Sequence, residues 1–129
     1  MDGKEKIERL TNSWYGFGLF TGVASFLFNG IGIFSMIGAG ISIFVSFCIT
    51  FVLGRLLLRK SSVTRFGLIV VSGLFSVLGV LGIGSAIWTF FGEWSLSLLV
   101  GAAYATIAIY QHVKSINVLT DKSVKSYFA

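Results

Sequence analysis

Residues Thr11 to Gly54 read TNSWYGFGLFTGVASFLFNGIGIFSMIGAGISIFVSFCITFVLG, without one Lys, Arg, Asp, Glu or His. A hydrocarbon core about 30 Å thick takes roughly 20 helical residues to cross, so the stretch is long enough for two crossings. Asn29, Gly30, Gly32, Gly38 and Gly40 collect near its middle. They place the bend of a helical hairpin between Asn29 and Ile37. Charge returns at once with Arg55, Arg59, Lys60 and Arg65, and that cluster sets one end of the hairpin at a membrane surface.

Composition points the same way. The chain has 129 residues, 55% hydrophobic and 12% charged, against about a quarter charged in ordinary globular domains. One transmembrane domain over residues 1–129 is expected. In so small a bundle most helix faces meet lipid or a partner, so a homo-oligomer or a complex with another membrane protein is expected. The net charge of +5 belongs to short flanks and one loop, a pattern that suits orientation and anionic headgroups of the lipid bilayer rather than nucleic acid. Cys48 is the single cysteine, so neither a disulfide nor a cysteine-based zinc site can form within one chain. The mixed charge of Asp2 to Arg9 reads as mature, cytoplasmic-type sequence rather than a signal peptide.

Working outward, the sequence predicts an all-α integral membrane protein: four transmembrane helices near residues 13–33, 36–55, 66–90 and 94–113, arranged as two hairpins with polar N- and C-terminal flanks. Ile7, Leu10 and Trp14 share one face of a short interfacial helix ahead of the first crossing, and Trp14 and Tyr15 stand at headgroup level. Gly18 and Gly22 form a small-xxx-small pair in that crossing. The second crossing carries Gly38, Ser42, Ser46, Thr50 and Gly54 at every fourth position, with Ile43, Phe44, Phe47 and Phe51 assigned to the opposite side. Small residues and hydroxyls drive helix association where hydrophobicity cannot. This face is read as a seam within the chain, a hydroxyl-lined pore face, or a seam between copies.

The loop Arg55 to Arg65 has no acid. The positive-inside rule puts it and both termini in the cytoplasm, with a bacterial inner membrane as the expected location. Arg55, Arg59, Lys60 and Arg65 form an interfacial basic cluster expected to meet lipid phosphate, with a specific acidic headgroup or a protein as the alternative. In the third crossing Trp88, Phe90, Phe91 and Trp94 form an aromatic belt around Glu93, the only acid between Glu8 and Asp121. Glu93 is expected in a short loop, solvated. His112 is expected at the interface closing the fourth crossing. No carboxylate or second histidine lies near it in sequence, so it indicates neither a metal site nor a proton relay. The tail from Ser115 to Ala129 reads as polar and as lying at the surface that holds the N-terminus.

Thr21-Gly22-Val23-Ala24-Ser25 is similar to Ser72-Gly73-Leu74-Phe75-Ser76, Phe17-Gly18-Leu19 to Phe66-Gly67-Leu68, and Gly30-Ile31-Gly32 to Gly82-Ile83-Gly84. A duplication with these matches would be a parallel repeat about an axis along the membrane normal. In size, in its two hairpins with basic ends, and from Val45-Ser46-Phe47 through Arg55 to Thr64-Arg65-Phe66, the chain resembles the GtrA-like family of small four-helix proteins associated with moving lipid-linked sugars. Leu53-Gly54-Arg55-Leu56 stands where that family closes its second helix with Asn-Arg-aromatic. The resemblance covers about a third of the chain, does not establish membership, and implies at most a flippase-like role.

Five acids, one histidine and one cysteine, nearly all at termini or surfaces, cannot assemble a nucleophile with its base, a carboxylate pair or a metal cluster. No catalytic residue, cofactor or metal is expected, and the chain reads as a non-enzyme. Three functions stay open: an oligomeric channel or membrane-permeabilising component, favoured because small faces abound while intramembrane charge is lacking; an accessory, immunity-type or regulatory subunit; and a small flippase or carrier.

Overall fold

A computed structural model describes residues 1–129. It contains five α-helices and no strand: α1 (Gly3–Phe28), α2 (Ile33–Leu58), α3 (Ser62–Gly92), α4 (Leu96–Thr120) and α5 (Lys122–Phe128). α2, α3 and α4 are long and apolar enough to cross a membrane. α1 is not among these three, because its opening turns are charged and Thr11, Asn12 and Ser13 interrupt its apolar run.

Every helix boundary differs from its hydropathy-based position, and each difference has a local cause. The interfacial helix and the first crossing are one continuous helix. The Asp2 carboxylate accepts from the Glu5 N–H at 2.8 Å and caps its start, and neither Pro nor Gly stands between Lys4 and Tyr15 to break it. It ends at Phe28 rather than at residue 33. The Asn29 N–H and side-chain amide both donate to the Ser25 carbonyl, and Gly30 then takes the left-handed conformation, φ +83°, that closes so many helices.

The basic loop expected from Arg55 to Arg65 shrinks to Arg59–Ser61, because α2 continues to Leu58 and α3 begins at Ser62. Lys60, at φ +61°, donates its N–H to the Leu57 carbonyl, and Ser61 donates to Leu56. This is the Schellman pairing that satisfies terminal carbonyls. The Ser61 hydroxyl then caps α3, accepting from the Thr64 N–H at 3.3 Å. At the far end α4 runs to Thr120 instead of stopping at residue 113, and the tail read as merely polar folds into α5.

The chain forms two compact units, Met1–Thr64 with Lys122–Ala129, and Arg65–Asp121. In the first, α1 and α2 run antiparallel. Gly54 meets Thr11, Gly18 meets Ser46 and Gly22 meets Ile43, while the Tyr15 and Phe47 rings pack edge to face at 5.2 Å. The fully buried side chains of this unit, Ile7, Leu10, Leu57 and Val124, all belong to its charged end. There α5 packs on the start of α1, with Ser123 and Tyr127 against Gly3. The Tyr127 hydroxyl donates to the Leu58 carbonyl at 2.6 Å, and the Lys60 ammonium lies 5.0 Å from the Tyr127 ring centroid.

In the second unit Gly79 gives room to Ile109, Phe75 and His112 stack at 5.5 Å, and Arg65 Nε donates to the Leu119 carbonyl at 2.9 Å. The outer surface of the helices is apolar: Phe34 is 90% exposed, Trp88 80% and Phe91 79%. A surface of this extent is stable against hydrocarbon and aggregates in water. Hydroxyls along the helices turn back onto their own backbones, Thr21 to Phe17, Ser76 to Ser72, Thr89 to Ser85 and Thr106 to Ala102, at 2.8 to 3.0 Å. That is how a hydroxyl is satisfied where no water is at hand.

Candidate functional site: a divided small face and a basic groove

A helix repeats every 3.6 residues, so a four-residue step overshoots a full turn by about 40°. The line Gly38, Ser42, Ser46, Thr50, Gly54 therefore winds around α2 instead of staying on one side. Thr50 and Gly54 are buried, Ser46 is half-buried, and Gly38 and Ser42 are exposed. Ser46 fills the space above Gly18, and the Thr11 side chain lies where a Cβ on Gly54 would sit, at 2.7 Å. Nothing lies within 4 Å of a Cβ built on Gly38.

The buried line of α2 is instead Ala39, Thr50, Gly54 and Leu57, with Ile43 and Ser46 packing between them. Ile43 and Phe47, assigned by size to the opposite side, face α1. Ile43 occupies the gap that Gly22 leaves, and Phe47 meets the Tyr15 ring. The spacing carries a signal for this line. Ala39, Ile43, Ser46, Thr50, Gly54 and Leu57 advance by about 3.6 residues a step, the period of a straight stripe.

The basic cluster is held residue by residue. The Arg55 guanidinium lies 5.2 Å from the Phe51 ring centroid, Lys60 covers Tyr127, and Arg65 closes α4 at Leu119. Arg59 is exposed. Between α1 and α2 at this end runs an open groove of about 200 Å³, bounded by Glu8, Thr11, Asn12 and Tyr15 on one side and by Phe51, Gly54, Arg55 and Leu58 on the other. The sequence carries no hint of it, since its two walls stand some forty residues apart.

Glu93 follows the last residue of α3, exposed, with its N–H on the Thr89 carbonyl at 2.8 Å. Trp88, Phe91 and Trp94 around it are 80%, 79% and 87% exposed. His112 does not end its helix. α4 continues two turns beyond it, and its ring stacks on Phe75, one helix turn past the buried Ser72. No protein-family profile, curated protein or solved structure matches this chain.

Proposed function

We propose that this chain is a non-catalytic integral membrane protein of four crossings that works by assembling with other helices, most directly as an oligomeric channel or membrane-permeabilising component. The observation that supports it best is the division of the α2 small face. Its Ser46–Gly54 half is spent on α1, while its Gly38–Ser42 half lies open with nothing over it. Small residues left bare in hydrocarbon offer another helix a close approach.

The fourth crossing is α1. It lies along α2 from Thr11 to Gly22, so it shares whatever depth α2 has. Its residues 11 to 28 reach about 27 Å at 1.5 Å each, close to the bilayer core. The cations at the ends of α2 and α3 put both termini and the α2–α3 corner in the cytoplasm, with a bacterial inner membrane as the setting. Single cysteines in a Cys48→Ser background, labelled from outside intact cells, are expected to react at Asn29 and Ser95 and not at Ser62. The opposite pattern reverses the orientation.

Ser42→Leu is the variant that separates the assembly reading from plain lipid contact. It leaves the α1–α2 seam alone, whereas Ser46→Leu would strike Gly18 within the hairpin. Detergent-solubilised Ser42→Leu is expected to lose its oligomeric mass, because overpacking a close seam costs about 1–3 kcal/mol, and to lose liposome conductance with it. An unchanged mass means that this face meets lipid only. A stable monomer with silent liposomes assigns the chain to the accessory or regulatory class, and lipid exchange without conductance assigns it to the flippase class.

A further inference from the structure

We propose that the groove between α1 and α2 at the charged end binds the phosphodiester headgroup of one phospholipid, with Arg55 as its anchor. The inference rests on the reading that both helices cross a bilayer, and it adds to that reading a bound ligand. Arg55 is the telling residue. Its guanidinium is held over the Phe51 ring at 5.2 Å and makes no ion pair, while the nearest acid of the groove, Glu8, lies 3.9 Å from the Lys4 ammonium. A guanidinium positioned by an aromatic face, with its donors unspent, is arranged for a planar or tetrahedral oxyanion.

The groove supplies the rest of a headgroup site. Asn12 and Tyr15 bring an amide and a phenol to the wall opposite Arg55. Gly54, with no side chain, lets Thr11 settle into the floor. Phe51 lies one turn deeper along α2 and is 54% exposed, and Val52 beside it is equally open. An acyl chain leaving the phosphate has an apolar track to follow. Depth decides the source of the phosphate. Arg55 stands one turn inside the end of α2, level with Thr11 across the hairpin and about one turn outward of Tyr15, a depth where lipid phosphates sit just outside the amphipathic rings, and a lipid diester reaches that depth with its own chains still in hydrocarbon.

The test is native mass spectrometry of the full chain in detergent with added phosphatidylglycerol. Arg55→Gln is expected to reduce retained lipid about tenfold, the fold-change of about 1.4 kcal/mol. Asn12→Phe, which plugs the groove at an exposed position and leaves every cation in place, is expected to do the same. Arg59→Gln, an equal loss of charge at a residue outside the groove, is expected to retain lipid as the wild type does. Equal losses from Arg55→Gln and Arg59→Gln overturn the site in favour of general electrostatic attraction. Full displacement of the lipid by millimolar inorganic phosphate overturns the lipid source. Retained lipid in both groove variants overturns the groove. Alkaline carbonate extraction of wild-type membranes separates this failure from that of the parent reading, since a chain stripped from the bilayer by carbonate never had the crossings on which the site depends.

Discussion

Gly22→Leu is expected to disrupt the α1–α2 hairpin, lowering the melting temperature of the monomer in detergent by more than any substitution on its exposed faces. A Cβ on Gly22 would overlap Cγ1 of Ile43, and the Ala39 carbonyl oxygen lies 3.5 Å from the same point. Ile43 cannot simply swing aside, because Cγ1 is the root of a β-branched side chain whose χ1 is strongly restricted in a helix. Leucine adds three further carbons beyond that Cβ. Overpacking of this kind costs about 1–3 kcal/mol and more when helices must separate.

One term opposes the loss: exchanging Gly for Leu within a helix gains roughly 0.5–1 kcal/mol in intrinsic propensity. The same gain is available at Gly38, where nothing lies within 4 Å. Gly38→Leu thus measures the propensity term in the monomer, and the difference between the two variants isolates the clash. Equal melting temperatures for the monomeric forms of Gly22→Leu and Gly38→Leu would show that α1 does not pack on α2 through Gly22.

The legible part of this fold is the part that hydropathy and turn chemistry control. Gly30 and Asn29 mark the bend because a left-handed residue and an amide cap end a helix whatever surrounds it. Charge after Gly54 marks the end of the apolar stretch. Hydropathy does not report where a helix stops, since Lys114, Asn117 and Thr120 are polar and still helical. Nor does it report phase. The four-residue series from Gly38 to Gly54 draws the eye as a face, yet over four steps it turns by about 160°, and its two ends look in nearly opposite directions. Size alone sends Ile43 to the outer side, whereas its angle on the helix turns it toward α1. α5 escapes for another reason: a helix of seven residues has no stability of its own, and it is held by tertiary packing, through the buried Val124 and the contacts of Tyr127 and Ser123 with α1 and α2.

Leu57→Ala is expected to cost about 2–5 kcal/mol, the usual range for a fully buried leucine, while Phe34→Ala is expected to cost almost nothing. The contrast comes from where the hydrophobic effect operates. It needs water to escape from, and water is present only at the ends of a membrane protein. Between lipid-bathed helices an apolar side chain gains little by exchanging acyl chains for a neighbouring helix, so close contact there falls to glycine and serine. The fully buried apolar side chains of the first unit obey that division. Ile7, Leu10, Leu57 and Val124 are at 0–1% exposure, all where α1 begins, α2 ends and α5 docks, beside Lys60, Arg59 and Lys4. Phe34, at 90% exposure, belongs to the opposite end of α2. Removing the Leu57 side chain opens a cavity in the buried end of the unit that also holds Val124, so the short α5 is expected to detach first. Hydrogen exchange at Lys122–Phe128 should therefore rise before the rest of the unit responds. If Leu57→Ala and Phe34→Ala prove equally mild in detergent melting, and exchange at α5 is unchanged, then the charged end holds no water-driven core and α5 is held by Tyr127 alone.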